Sequence, residues 1–353
     1  MSDRSQALAA LLPLAEGKPR AMAHLARLVQ ENGEPERALD LCLRALSASP
    51  DDPELAALVA SIVSTTVPSW HFSLVRDAPR NHAYAAALRR TIRPGCRVLE
   101  IGTGTGLLAM MAARAGAGAV VTCEANPIVA RLAQEIVAVN GYADRVSAIA
   151  RPSTALDAAR DLGGRADVLV SEIFSNDAVG EGALPAIEDA WRRLLSADAS
   201  VIPARVRIVV ALADDRLRDH RRMGVVDGFD LSYFDRAAKP SYQIGADAPR
   251  LTLRSEAATI FAFDFQRDRV FPSRHTSVAL TATSAPINGI AQWIALDLDG
   301  VDTYEARPAV NARSCWATMF HPIDPLAAID TGRTVTIHGR HDRQSLLLWT
   351  AAQ

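Results

Sequence analysis

The run Ser171-Glu172-Ile173-Phe174-Ser175-Asn176-Asp177-Ala178-Val179-Gly180-Glu181-Gly182 carries two glutamates nine positions apart. Glu172 follows the apolar run Ala166-Asp167-Val168-Leu169-Val170, which predicts a buried strand. It therefore falls at a strand's carboxyl end, where open α/β sheets bind ligands. Nine positions do not share one helical face, so the chain between the two acids must double back to bring them together. Two adjacent carboxylates repel each other and raise one pKa. A planar guanidinium between them relieves that repulsion through charge-assisted, bidentate hydrogen bonds. The chemistry predicted for Glu172 and Glu181 is thus a grip on a guanidinium; a solvated acidic loop is the plain alternative.

A second constellation is Glu100-Ile101-Gly102-Thr103-Gly104-Thr105-Gly106, lying between a short apolar strand and a helix. Glycines let backbone approach a ligand closely and adopt left-handed turns. A dinucleotide fingerprint wants its third glycine three positions after the second. Here it comes two positions after, and Leu107 stands where that glycine would be. Glu124 ends the next strand, where an acid can accept both hydroxyls of a ribose. This predicts a nucleoside site without saying which nucleoside. The other reading of Glu124 is an acid at the start of the helix that follows.

These residues need a scaffold, and the chain predicts three segments. Residues 1–66 read as amphipathic helices, broken at Gly33-Glu34-Pro35 and at Pro50. Two such helices with a tight turn resemble a tetratricopeptide repeat over about 19–52, with small residues Ala26, Ala38 and Ala45 where the helices approach. Residues 67–204 alternate strand and helix, with strands at 97–101, 119–123, 146–150 and 166–170. That pattern predicts an α/β Rossmann-like domain of parallel strands with right-handed crossovers. Residues 205–353 read as a β-barrel or sandwich, with strands at 206–213, 251–253, 259–263, 277–282, 290–298, 316–320, 334–338 and 345–350. Residues 214–250 lack periodicity and look like an arm.

Composition narrows the class. Of 353 residues, 49% are apolar, enough for substantial cores, and 22% are charged, as in a solvated globular surface. Thirty-eight basic and 40 acidic residues give a net charge of -2, which argues against a general grip on nucleic acid. No apolar run approaches the ~18 residues of a spanning helix. Residues 7–15 make a poor signal core, with Asp3 and Arg4 before them and Glu16 and Lys18 after. Cys42, Cys96, Cys123 and Cys315 are widely spaced with no metal-ligand pattern, which predicts free thiols, no metal and a reducing cytoplasm. Trp191, Trp293, Trp349 and Met110-Met111 lie on apolar patterns and are expected in the core.

The run 171–184 resembles the double-glutamate loop of protein arginine methyltransferases, and its Glu-Gly-Ala-Leu-Pro ending is similar to the type III-like branch. Trp70-His71-Phe72, Arg76-Asp77 and Arg80-Asn81-His82-Ala83-Tyr84 resemble the family segment that folds over the methyl donor. The likeness covers about residues 67–353. It implies S-adenosylmethionine as cofactor, with Arg80 on its carboxylate, Gly102, Gly104 and Gly106 around its amino-acid part and Glu124 on its ribose. Glu100 would support the loop or meet the donor's cationic end. Ser153 and Thr154 stand near the adenine, where the family often has an acid. Arginine in a protein or peptide is the implied substrate, with Trp316 as a wall beside it. Residues 227–232 resemble part of a dimerisation arm, so a homodimer through 214–250 is expected. The family's Thr-His-Trp loop corresponds to Ser314-Cys315-Trp316, so Cys315 replaces a supporting histidine. Two other readings stay open: a small-molecule methyltransferase on the same donor fold, and a catalytically weak scaffold that binds partners through its helical repeat.

Overall fold

The computed structural model describes residues 3–310, 312–323 and 329–350. The outer ends of the first and last predicted segments, 1–2 and 351–353, lie outside the described residues. Four helices come first: α1 (Asp3–Ala15), α2 (Pro19–Glu31), α3 (Pro35–Ala48) and α4 (Pro53–Val63). Prolines open α2, α3 and α4, where a missing N–H costs nothing. Ala23, Ala26 and Val29 of α2 and Ala38, Cys42 and Ala45 of α3 are buried in a core of the helices' own. Asp52 caps α4 through Glu54 and Leu55 N–H and pairs with Arg20 at 2.8 Å.

Two further helices, α5 (Trp70–Arg76) and α6 (Ala78–Thr91), lead into the α/β domain. Its elements are β1 (Arg97–Ile101), α7 (Leu107–Arg114), β2 (Ala119–Cys123), α8 (Pro127–Val139), β3 (Val146–Ile149), α9 (Ala158–Leu162), β4 (Ala166–Ser171), α10 (Ala183–Arg193) and β5 (Leu195–Ile202). The strands pair in parallel in the order β3-β2-β1-β4-β5. Order reverses between β1 and β4, and a crevice opens at the carboxyl ends of such a pair. Register sets Ile101 beside Ser171, so the glycine loop and Glu172 leave the sheet as neighbours.

The remaining strands are antiparallel: β6 (Arg205–Asp215), β7 (Val225–Val226), β8 (Phe229–Asp230), β9 (Tyr242–Ile244), β10 (Leu251–Leu253), β11 (Ala258–Asp264), β12 (Arg274–Thr281), β13 (Gly289–Asp297), β14 (Thr303–Glu305), β15 (Thr318–Pro322), β16 (Thr334–His341) and β17 (Leu346–Thr350). They build the β-barrel domain, in which β13 lies between β6 and β15 and β12-β16-β17 form a separate sheet. The short pair β7 and β8 belongs to the 214–250 arm. Strands β5, β7, β8, β9 and β14 are absent from the predicted strands: Ser, Asp and Ala interrupt the first, β7 and β8 have two residues each, Tyr242-Gln243-Ile244 falls within the stretch read as an arm, and Thr303-Tyr304-Glu305 lacks the apolar flanks of Leu251-Thr252-Leu253. Trp349 departs from expectation. It is 41% exposed on the outer face of the edge strand β17 and stacks against His275 and His338. Strand alternation explains this, since Leu346 takes the inward position and Leu347 and Trp349 share the other face. Among the described residues, no helix is long and apolar enough to cross a membrane.

Candidate active site

A cavity of about 430 Å³ opens at the carboxyl ends of β1 and β4. Arg80, Glu100, Gly102, Gly104, Glu124, Ser153, Thr154, Glu172 and Glu181 all line it. Gly106 and Trp316 are not among its lining residues. Gly106 instead caps α7 in a left-handed turn (φ 78°), where a Cβ would meet Val137 at 3.1 Å. Gly102 is demanded by the protein itself: a Cβ there would lie 2.5 Å from the Ile173 side chain, on the loop leaving β4. The two loops approach so closely that only glycine fits between them.

Arg80 lies on the first turn of α6, which Asp77 caps by accepting the Arg80 N–H at 3.1 Å. Asp77-Ala78-Pro79 is a helix-start signal, the sequence clue to Asp77 as a functional residue. The Arg80 guanidinium is 2% exposed and donates to Glu172 Oε2 at 2.8 Å and to Asn81 Oδ1 at 2.8 Å. It also lies over the Tyr84 ring, whose hydroxyl donates to the Ser171 carbonyl at 3.1 Å. Burial pushes Glu172 up to about 7; Arg80 opposes that rise and Glu181 adds to it. Burial also pushes Glu100 up to about 8. Glu181, at the cavity's exposed edge, is raised by burial and then by Asp177, while His71 opposes.

The reversal that brings Glu181 back runs through a tight network. Ser175 Oγ and Asp177 Oδ1 accept the Gly180 N–H at 2.7 and 3.0 Å, and Ala178 takes φ 67°. The barrel holds the loop from below. Trp316 is 4% exposed and donates from Nε1 to the Phe174 carbonyl at 2.7 Å. Ala317 N–H reaches Asn176 Oδ1, and Gln292 Nε2 reaches the Asn176 carbonyl. Opposite this loop, Glu124 accepts the Gly104 N–H at 3.1 Å and the Asn126 N–H at 3.0 Å, one on each oxygen. Each oxygen keeps acceptor capacity for a hydroxyl. Among the described residues no group of His, Cys, Asp and Glu is placed to hold a metal.

Comparison with known proteins gives this cavity its context. The arginine N(omega)-methyltransferase of Streptomyces achromogenes subsp. streptozoticus is 38% identical over 330 residues, spanning 92% of this chain and 90% of that protein. The chain belongs to the arginine N-methyltransferase family. As an arginine N-methyltransferase it takes its methyl group from S-adenosylmethionine. Protein arginine N-methyltransferase 7 of Drosophila grimshawi is 34% identical over 253 residues, and that of Drosophila melanogaster 31% over 323. The chain spans only 35% and 46% of the length of these two relatives. A family model for ribosomal protein L11 methyltransferase matches residues 84–179, which hold β1 to β4. Among solved structures, the Trypanosoma brucei PRMT1 enzyme-prozyme heterotetrameric complex with AdoHcy superposes with a TM-score of 0.69 at 22% identity, over 78% of this chain and 90% of that one. Arabidopsis thaliana protein arginine methyltransferase 10 does so with 0.67 at 18%, over 79% and 89%. These two likenesses establish the shared fold, a Rossmann-like domain followed by a β-barrel.

Proposed function

We propose that Glu172 and Glu181 hold the guanidinium of an arginine while an ω-nitrogen is methylated, and that the arginine belongs to a protein or peptide. The observation that carries this reading is the convergence of both acids with Arg80, Glu100 and Glu124 on one cavity at the sheet's switch point. The residues present suit the donor. Arg80 Nε and Glu100 Oε2 are buried without a hydrogen-bond partner among the described residues, which matches a cationic and an anionic group on the donor's amino-acid part. Arg80 takes the carboxylate, Gly102, Gly104 and Gly106 shape the loop around it, Glu124 takes the ribose, and Ser153 and Thr154 face the base.

When bound, the donor supplies a methyl group on a sulfonium centre. A guanidinium, with a pKa of roughly 12.5–13.8, arrives protonated with its lone pairs delocalised. Two carboxylates accepting from it draw charge toward the nitrogens they bind and orient the remaining one. Such positioning supplies on the order of 7–11 kcal/mol in favourable cases. Glu181, on the solvent side, takes the proton that the methylated nitrogen sheds. Trp316 serves as a support for the 172–181 loop through Phe174.

Four further readings belong with this one. The type III-like branch rests on the run from Glu181 to Pro185. A tetratricopeptide-like role for the N-terminal helices rests on the packing of α2 on α3. A homodimer through the arm rests on exposed apolar side chains between Leu217 and Phe234. A cytoplasmic setting rests on four free cysteines.

Labelled S-adenosylmethionine with arginine-rich peptides, followed by mass spectrometry, is the test. Glu172→Gln should still bind donor but lose about 100-fold or more in kcat, the scale of removing a preorganised electrostatic contact. A wild-type rate in that variant would refute the assignment. One observation favours a second substrate, arginine itself: the Streptomyces relative, matched along 90% of its length, is named for arginine and not for protein arginine. Methylation of free arginine with none on peptides would establish it.

A further inference from the structure

Tyr304 stands on β14 of the barrel, 7% exposed, and its hydroxyl donates across the domain boundary to Asp77 Oδ2. The same oxygen accepts the Cys315 N–H at 2.9 Å, while Asp77 Oδ1 accepts the Arg80 N–H. Ser314 Oγ lies 2.9 Å from the Tyr304 oxygen. A phenol has one hydrogen; with that hydrogen given to the carboxylate, Ser314 donates to Tyr304. Ser314 in turn accepts the Trp316 N–H at 3.1 Å. A continuous chain thus runs from the barrel through Tyr304, Asp77 and Arg80 to Glu172.

Cys315 lies between Ser314 and Trp316 on the loop that faces Asp77. Its thiol faces Asp77, Arg80 and Glu172, and burial raises its pKa far above the ordinary range. A thiol is a weak donor, so the Tyr304 hydroxyl is the stronger side-chain donor to Asp77, beside the two backbone N–H groups. Asp77 is itself only 6% exposed. A buried carboxylate short of a donor bears its full desolvation penalty, which is larger for charged groups than for neutral ones.

We propose that Tyr304 is a positioning residue for methyl transfer: its hydroxyl fixes Asp77, and through Asp77 the first turn of α6 and the guanidinium of Arg80. From β14 it adds a hydroxyl donor beside the backbone donor that the Cys315 loop supplies. The inference rests on Arg80 as the donor's carboxylate ligand.

Tyr304→Phe removes the hydroxyl and keeps the ring, whose centroid lies 5.6 Å from that of Trp316. Calorimetric titration of the full chain with S-adenosylmethionine should show a donor Kd about tenfold higher, on the scale of one hydrogen bond to a charged group, and kcat should fall. Asp302→Asn removes an ion pair between the barrel and Arg90, away from the cavity, and should leave the donor Kd within about twofold. Asp77→Ala combined with Tyr304→Phe should bind no more weakly than Asp77→Ala alone. Wild-type donor Kd in Tyr304→Phe overturns the proposal. So do additive losses in the double variant, or an equal loss in Asp302→Asn, which would make loosened domains the cause. Should Tyr304→Phe fail to fold, unchanged donor affinity in Asp77→Ala overturns it equally. Arg80→Ala separates the two levels: wild-type binding there faults the Arg80 assignment, whereas weakened binding there beside wild-type Tyr304→Phe faults only Tyr304.

Discussion

In its proposed role Glu172 must be charged to hold a guanidinium, yet its surroundings make charge costly. Burial lifts its pKa to about 7 and the neighbouring Glu181 adds to the lift, while Arg80 and the Phe174 N–H pull the other way. A carboxyl raised in this way is protonated below its pKa and becomes competent as pH rises through it. Log kcat/KM should therefore climb with a slope near one up to about pH 7 and then level, because kcat/KM follows the free enzyme. In the ternary complex the substrate's cation favours the charged form, so the corresponding limb of kcat should lie at lower pH. Glu172→Gln should abolish the limb and Glu100→Gln should keep it. A limb surviving in Glu172→Gln would assign the titration to another group. The ion pair of Arg80 with Glu172 has a second consequence. In the proposed roles, donor carboxylate and acceptor guanidinium each compete for one half of that pair, a contact the protein already makes.

At the scale of elements, the 172–181 loop is where the sequence was most informative and also where it fell short. The need for a reversal follows from nine positions between two acids. Its means are mixed: Ser175 and Asp177 converging on the Gly180 N–H within five residues make a local turn, whereas the anchoring of Phe174 and Asn176 by Trp316, Ala317 and Gln292 is a long-range placement that no local pattern encodes. The glycine loop divides similarly. Its place between strand and helix was legible, but the contact that makes glycine necessary at 102, with Ile173, was not; only strand order creates that closeness. Asp77-Ala78-Pro79 carries a helix-start signal, whereas Tyr304 carries none, since Thr303 and Glu305 on either side of it leave no apolar run and its partner Asp77 is 227 positions away. Gly180 offers a direct test. A Cβ there would lie 2.9 Å from Ser175 Oγ and 3.2 Å from Asp177 Oδ1. Gly180→Ala should shift Glu181 and lower kcat by about 100-fold, the loss that a displacement of about 1 Å can bring. Donor Kd should stay within about twofold, because Arg80 and Glu124 are held by other elements. Stopped-time assays beside calorimetry check this, and a parallel rise in donor Kd would mean that the loop also shapes the donor site.

At the scale of the whole molecule, the barrel braces a site whose lining residues all lie between Pro68 and Ala186. Trp316, Ala317 and Gln292 pin the acidic loop, and Arg90 pairs with Asp299 at 2.6 Å and with Asp302 across the same boundary. Along its tip the arm presents an apolar surface. Val225, Phe229, Tyr233 and Phe234 are 70, 70, 75 and 64% exposed within ten residues, a density of apolar surface that marks an interaction site. A second copy of the chain is the partner the arm's family resemblance implies. Each aromatic ring can bury 150–250 Å², so three rings per arm, doubled by two-fold symmetry, supply much of a standard interface of ~1,600 Å². Sedimentation of the wild-type chain at micromolar concentration should therefore give a dimer. Phe229→Asp with Phe234→Asp should give a monomer whose Tm moves by no more than about 2 °C, because exposed positions contribute little to a protomer's own core. A wild-type chain that sediments as a monomer, or a double variant that remains dimeric, would remove the arm from the interface.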